Sequence, residues 1–239
     1  MQAVIEVRDL RKVYAGVAVV DGVSLSVGRG EVFGVLGPNG AGKTTTVECV
    51  AGLRRPDSGT VRVLGLDPAQ DPAAVRARVG VQLQQAALPD GMRVGEAMAV
   101  FAAAYGRHDA VDRLLDEWGL APKRRSAFAT LSGGQRQRLF IALALLGDPE
   151  IVVLDELTTG LDPAARRDTW KLVRRLRDEG VTVVLVTHAM DEAESLCDRL
   201  AVIMAGRVAE AGTPAAVIGD HRSLEAAYLT ITDRYLQEV

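Results

Sequence analysis

Eight residues, Gly37-Pro38-Asn39-Gly40-Ala41-Gly42-Lys43-Thr44, place three glycines, a lysine and a hydroxyl at the spacing of a phosphate-binding turn. Phosphate is charged and needs hydrogen-bond donors that bring no bulk with them. Glycine lets backbone N–H groups turn inward and approach closely, and the start of a following helix adds partial positive charge. The stretch from Gly37 through Pro38, Asn39, Gly40 and Ala41 to Gly42 would form the cradle. Lys43 would reach the β- and γ-phosphates, Thr44 would ligate Mg²⁺, and Thr45 would donate to a phosphate oxygen. Average composition yields such a match in about one chain per hundred of this length. An apolar strand pattern before the turn and a helical pattern after it disfavour an ordinary glycine turn.

A second cluster is Ile151-Val-Val-Leu-Asp155-Glu156, an apolar run that ends in two carboxylates. Beside a phosphate site this suits phosphoryl transfer. Asp155 would hold the metal directly or through water, and Glu156 would orient or deprotonate the attacking water. By itself the pattern is equally a strand running into an acidic turn. Guanine reading of the Asn-Lys-x-Asp type is excluded, because Asn39 is the only asparagine in the chain.

A third cluster is Leu131-Ser132-Gly133-Gly134-Gln135, followed by Arg136-Gln-Arg138. Ser132 can cap a helix here, and Gln135 stands at the capping-box spacing. The plain reading is a capped helix after a loop. Average composition produces this five-residue string in only about a few chains per ten thousand, so a second anion-binding helix start needs an explanation.

These residues need elements to hold them. Residues 4–7 and 23–27 alternate apolar and polar as half-buried strands do, and residues 31–36 form a short strand entering the glycine turn. Helix follows over 42–52, a turn over 54–59 and a strand over 60–64. Residues 97–105, 109–118 and 136–146 read as helices without intervening strands, which predicts a small helical lobe. Gly119 and Gly147 stand where the second and third of these helices stop. Residues 151–154 and 181–186 are continuous apolar runs, the mark of parallel strands buried on both faces. Between them Asp162 is the expected N-cap of a helix with Pro163 at its first position and Gly180 beyond its end. Residues 200–204 and 207–210 bracket Ala205-Gly206 as a hairpin, and 223–238 read as a short amphipathic helix with no room for a regulatory domain.

Composition narrows the class further. The 239 residues carry 28 Lys+Arg against 31 Asp+Glu, a net charge of −3, so an electrostatically driven nucleic-acid binder is not expected. Hydrophobic residues make up 48%, enough for one substantial core. Cys49 and Cys197 read as buried small hydrophobes of a reducing compartment, and three histidines without a Cys/His cluster argue against structural zinc. Charges in the first residues stand where a signal peptide needs apolar ones. The longest apolar run, 97–105, is far short of the ~20 residues needed to span a bilayer. If the chain serves a membrane, another polypeptide must cross it.

With these motifs in this order, the sequence resembles the nucleotide-binding subunits of ABC transporters over essentially its whole length. LSGGQ is that family's signature. The resemblance implies one α/β domain over 1–239: a P-loop NTPase (RecA-like) core with an N-terminal antiparallel β-subdomain and an inserted α-helical subdomain. The core would comprise 1–87 and 151–218, the helical signature subdomain 88–150, and a short helical tail 219–239. It also implies ATP and Mg²⁺ as ligands, and paired cassettes in which Ser132, Gly133 and Gly134, with Gln135, meet the γ-phosphate bound by the partner. Tyr14 matches the aromatic that stacks on adenine. Gln84 matches the glutamine that senses Mg²⁺ and γ-phosphate, with Gln82 and Gln85 as neighbouring registers. Gly160-Leu161-Asp162 matches the loop that crosses to the other protomer, and His188 the histidine that contacts γ-phosphate. One departure is Leu157, where the family usually has proline after the catalytic glutamate. A less rigid turn there implies looser placement of Glu156 or Asp162.

The implied function is ATP hydrolysis for a separate integral-membrane permease, at the cytoplasmic face of the cell membrane, as a homodimer or a heterodimer with a related cassette. Met190-Asp-Glu-Ala-Glu194 and the short tail look most like drug and lipid exporters of the daunorubicin-resistance kind. Two alternatives stay open from sequence. One is a non-transport ATPase of the same superfamily acting on nucleic acid or ribosomes, the other a small-molecule kinase, which would leave LSGGQ without a use.

Overall fold

The computed structural model describes residues 2–83 and 86–238. Strands β1 (Ala3–Tyr14) and β2 (Val17–Gly28) form a long antiparallel ribbon, and β3 (Val32–Leu36) runs into the glycine turn that opens α1 (Lys43–Val50). There follow β4 (Ser58–Val63), a short α2 (Pro72–Arg76) and β5 (Val79–Gln82). The middle of the chain holds α3 (Val94–Tyr105), α4 (Ala110–Glu117), two 3₁₀ turns and α5 (Gly133–Leu145). The pattern then alternates: β6 (Ile151–Asp155), α6 (Pro163–Asp178), β7 (Thr182–Thr187), α7 (Met190–Leu196), β8 (Arg199–Met204) and β9 (Arg207–Gly212). Helices α8 (Pro214–Ile218) and α9 (Leu224–Glu238) close the described chain. This is the α/β fold with an antiparallel β-subdomain and inserted helices that the sequence implied.

Two sheets organise it. One has the order β2-β1-β4 and is antiparallel; the other has the order β5-β6-β7-β3-β8-β9 and is parallel except for its β9 edge. Period-two alternation in the buried strands assigns each face. Val152, Leu154, Val183 and Leu185 join one apolar cluster with α3, α4, α5 and α6. Ile151, Val153, Val184 and Val186 join the other with α1 and the antiparallel sheet. The helical lobe therefore shares its core with one face of the main sheet. The adjacent central strands β3, β6 and β7 end along one sheet edge, where glycine turn, paired carboxylates and His188 emerge. This is where ligands bind in parallel α/β sheets.

Local signals explain the two most informative helix starts. Ser132 Oγ accepts from the Gln135 N–H at 3.3 Å while Gln135 Oε1 accepts from the Ser132 N–H at 3.0 Å, which completes the capping box. Asp162 Oδ1 accepts from the N–H groups of Ala164 and Ala165, each at 2.9 Å, and Pro163 occupies the first turn. Cys49 and Cys197 are buried free thiols, and burial pushes the Cys49 thiol up to about 11. Among the described residues no helix is long and apolar enough to cross a membrane.

Candidate functional site

A cavity of about 280 Å³ opens at the end of β3, lined by Val19, the turn from Asn39 to Thr45, Asp155 and Glu156. Its shape depends on glycine. Gly42 has φ +95°, and a Cβ there would sit 2.4 Å from the Val19 carbonyl oxygen. At Gly37 a Cβ would sit 2.1 Å from the Ile203 carbonyl oxygen. Backbone cannot yield to such contacts, so both positions exclude side chains whatever they bind.

Lys43 closes the turn on itself. Its Nζ donates to the carbonyl oxygens of Gly37 at 2.8 Å and Pro38 at 2.9 Å. The ammonium is buried, and this desolvation lowers its pKa, opposed by the charges of Glu156 and Asp155. Thr44 Oγ1 donates to Asp155 Oδ2 at 3.1 Å, joining the first turn of α1 to the end of β6. Asp155 is 1% exposed, and burial pushes its carboxyl above the usual carboxylate range. The Thr44 hydroxyl pulls it back down, and the Glu156 charge adds to the rise.

Glu156 follows at φ +53°, a left-handed conformation for a non-glycine residue. Its N–H donates to the Val186 carbonyl at 2.8 Å, which fixes the turn against β7. Its Oε1 lies 3.2 Å from His188 Nδ1, and its Oε2 accepts from Thr159 Oγ1 at 3.4 Å. Leu157, next in sequence, is 0% exposed and belongs to the apolar cluster beneath the sheet. Where the sequence suggested a looser turn without proline, a buried leucine and a backbone bond to β7 hold it instead.

The structure thus gathers Asn39 through Thr45, Asp155 and Glu156 around one cavity, while Gly37 and Pro38 join it through their bonds to Lys43, and His188 through its contact with Glu156. Other expected residues lie outside that lining. Tyr14 ends β1 and is 37% exposed, with Arg54 Cζ at 5.3 Å and Lys12 Nζ at 5.6 Å from its ring centroid. Ser132, Gly133, Gly134 and Gln135 open α5 outside this lining, with Gly133 facing Leu161 and Gly134 facing Ala165 near the start of α6. Asp162 caps α6. Gln84 lies outside the described residues. Sequence reading passed over Val19, whose carbonyl abuts Gly42, and Thr46, whose buried hydroxyl donates to the Gly42 carbonyl at 2.9 Å. It also passed over Glu192, a buried carboxylate on α7.

Residues 20–159 match the ABC transporter family. The chain belongs to that family. This cassette is similar to the daunorubicin/doxorubicin resistance ATP-binding protein DrrA of Streptomyces peucetius, 44% identical over 87% of the chain and 65% of the relative. It is also similar to the Nod factor export ATP-binding protein I of Paraburkholderia xenovorans, 44% identical over 91% of the chain and 73% of the relative. The chain therefore spans about two thirds to three quarters of the curated relatives it matches. Among solved structures, the cassette superposes on an ATP-binding subunit of an ABC transporter with TM-score 0.86 and 30% identity, covering 96% of this chain and 99% of that one. It superposes on cbiO1 of Clostridium perfringens, part of the ABC transporter complex cbiONQ, with TM-score 0.81 and 26% identity, covering all of both chains. The chain carries the ATP-binding domain of this family.

Proposed function

We propose that this cassette binds ATP with Mg²⁺, hydrolyses it, and so drives a separate integral-membrane permease. The observation that carries this reading is the convergence of Lys43, the Thr44–Asp155 pair and Glu156 on one cavity beside the glycine turn. The donor set fits Mg²⁺, a hard cation that takes one or two protein oxygens and completes its shell with substrate phosphates and water. Among the described residues no group of three or more His, Cys, Asp or Glu is placed to hold a metal by itself. Thr44 and Asp155 would hold the ion, with Gln84 as a further ligand. When bound, Mg²⁺ neutralises charge on the β- and γ-phosphates.

The remaining roles belong to this chain's own atoms. Lys43 exchanges the carbonyls of Gly37 and Pro38 for phosphate oxygens, while Asn39, Gly40, Ala41 and Gly42 present backbone to the phosphates and Thr45 its hydroxyl. Glu156 orients or deprotonates the attacking water, and His188 holds the Glu156 carboxylate and contacts the γ-phosphate. Tyr14 offers its exposed ring to adenine. Ser132, Gly133, Gly134 and Gln135 serve the nucleotide of a second copy or a related cassette, as does the loop through Asp162. Their position outside the lining of the chain's own cavity supports that division.

For the cargo, the names of the relatives support export of a drug, lipid or other hydrophobic compound. A groove of about 150 Å³ between Leu88, Phe101, Tyr105 and Phe140 supports docking of the permease, with the cassette peripheral at the cytoplasmic face. The test is purification with and without Mg²⁺ and ATP. Turnover should require both, and Glu156→Gln should abolish it and yield an ATP-bound dimer on size exclusion. A Glu156→Gln monomer would count against Glu156 as the base. Co-purification with ribosomes or DNA, rather than a membrane protein, would count against transport.

A further inference from the structure

The loop that follows Glu156 is tied down at a point that the motifs do not explain. Thr158 Oγ1 is buried and donates to Glu192 Oε1 at 2.8 Å. Trp170 Nε1, from α6, donates to the same oxygen at 3.0 Å. Glu192 is 1% exposed, and among the described residues its carboxylate makes no ion pair. A buried carboxylate without a cation is unfavourable unless hydrogen bonds hold it, and removing those donors leaves an unsatisfied charge. Helix α7 has apolar residues, Ala193 and Leu196, buried beside Glu192, so a hydrophobic residue would serve packing as well. The carboxylate needs another reason.

That reason lies in what the three residues connect. Thr158 stands two residues after Glu156 and one before Thr159, whose hydroxyl meets Glu156 Oε2 at 3.4 Å. The Thr158 carbonyl accepts from the Leu161 N–H at 3.1 Å, next to the Asp162 cap of α6. At the other end, α7 begins two residues after His188, which faces Glu156 Oε1. Glu192 thus clamps two chain segments that bear on the Glu156 carboxylate: the loop behind it and the helix behind its histidine. Trp170 anchors the clamp to α6.

We infer that Glu192 is a positioning residue for hydrolysis, acting through Thr158 on the loop 156–162 to hold Glu156 against His188. The inference rests on the ATPase reading above. Misplacement by about 1 Å costs on the order of a hundredfold in turnover, whereas ATP binding by the glycine turn does not pass through this clamp. The test compares Thr158→Val, Glu192→Ala and Glu192→Gln with the unchanged chain by steady-state ATPase kinetics and thermal unfolding. Thr158→Val keeps the shape and removes only the donor. It and Glu192→Ala should lower kcat at least roughly tenfold with KM for ATP within about twofold. Glu192→Gln, which keeps the acceptor oxygen, should restore most of kcat. If Thr158→Val lowers the unfolding midpoint while kcat and KM stay unchanged, the clamp only stabilises the fold and the inference is overturned. Loss in Glu192→Gln equal to that in Glu192→Ala overturns it too. An unchanged chain without turnover defeats the ATPase reading itself, a result separate from any difference among variants.

Discussion

A Cβ placed on Gly133 would meet nothing nearer than Leu161 Cδ2, at 3.5 Å. That is ordinary van der Waals contact, and Gly133 lies inside helix α5 with no left-handed backbone. Its neighbour Gly134 is tighter, with a Cβ at 3.2 Å from Ala165 Cβ. The contrast with Gly37 and Gly42, where backbone oxygens forbid a side chain, separates two reasons for glycine. The nucleotide turn needs its glycines in order to fold. The signature helix has no internal need for Gly133, which fits the proposal that this position faces the nucleotide of a second cassette.

Gly133→Ala should therefore leave thermal stability unchanged or raise it, since alanine favours helix over glycine by up to about 1 kcal/mol. ATP-dependent dimerisation of the Glu156→Gln chain should weaken in the same variant. Size exclusion with ATP and a thermal melt decide the matter together. A clear loss of stability, or an undiminished dimer, would show that the position is read wrongly. Gly42→Ala, by contrast, should lower the melting temperature even without nucleotide.

The sites visible in sequence were those where side chain and backbone signals coincide. Ser132 with Gln135, Asp162 with Pro163, and the lysine after the glycine turn each fix a helix start and a chemical group at once. Strand lengths were less legible. Reading β1 as 4–7 stops where the alternation fails, and the structure has a bulge there, with Asp9 at φ +50° and register shifts between Val7, Leu10 and Arg11. Pairing with β2 and β4 carries the strand on to Tyr14 in spite of the polar run. Helices α2, α7 and α8, of five to seven residues, are too short for a 3.6-residue period to declare itself. The burial of Glu192 on α7 is not legible in sequence, because a carboxylate on a polar-looking helix depends on partners 22 and 34 residues away.

Leu157, where the family usually has proline, is fully buried under the Glu156 turn. Leu157→Ala should cost about 2–5 kcal/mol, the range for a fully buried leucine, by leaving a cavity under the Glu156 turn. Turnover should fall further than ATP affinity, because Glu156 leans on this turn whereas Lys43 and Thr44 do not. Chemical denaturation and kcat against KM for ATP measure both halves. A variant with intact stability would mean that the core collapses freely onto the site. Intact turnover would mean that the bond from the Glu156 N–H to Val186 suffices.

Mixed dimers test which chain the signature serves. With Lys43→Ala in one subunit and Ser132→Arg in the other, a composite site concentrates both lesions in a single pocket. The second pocket then stays whole and should retain about one ATP per dimer, a simple consequence of two sites shared crosswise. Placing both lesions in the same subunit should damage both pockets and retain none. Nucleotide retention on rapid gel filtration reads the difference directly. The opposite pattern would mean that Ser132 acts on its own chain's nucleotide.

Asp155 should give the site an acid limit higher than an ordinary carboxylate would. Burial raises its pKa in the folded chain, against the pull of the Thr44 hydroxyl. The folded state then binds a proton more tightly than the unfolded state does. Nucleotide-free stability should fall as pH rises from the usual carboxylate value through Asp155's raised one, because the folded chain must give up that proton while the unfolded chain has already lost it. Mg²⁺ demands the opposite charge state, since only the carboxylate ligates it. Mg²⁺-dependent ATP affinity should therefore decline on acidification through the same window, before the bulk of surface carboxylates titrate. Asp155→Asn should lose the Mg²⁺ dependence of binding and remove this contribution from the slope of stability against pH. Denaturant melts and ATP titrations with and without Mg²⁺, from about pH 4.5 to 7.5, give both curves for the two chains. Parallel stability slopes in the two chains would place the proton elsewhere, and Mg²⁺ dependence that persists in Asp155→Asn would remove Asp155 from the metal.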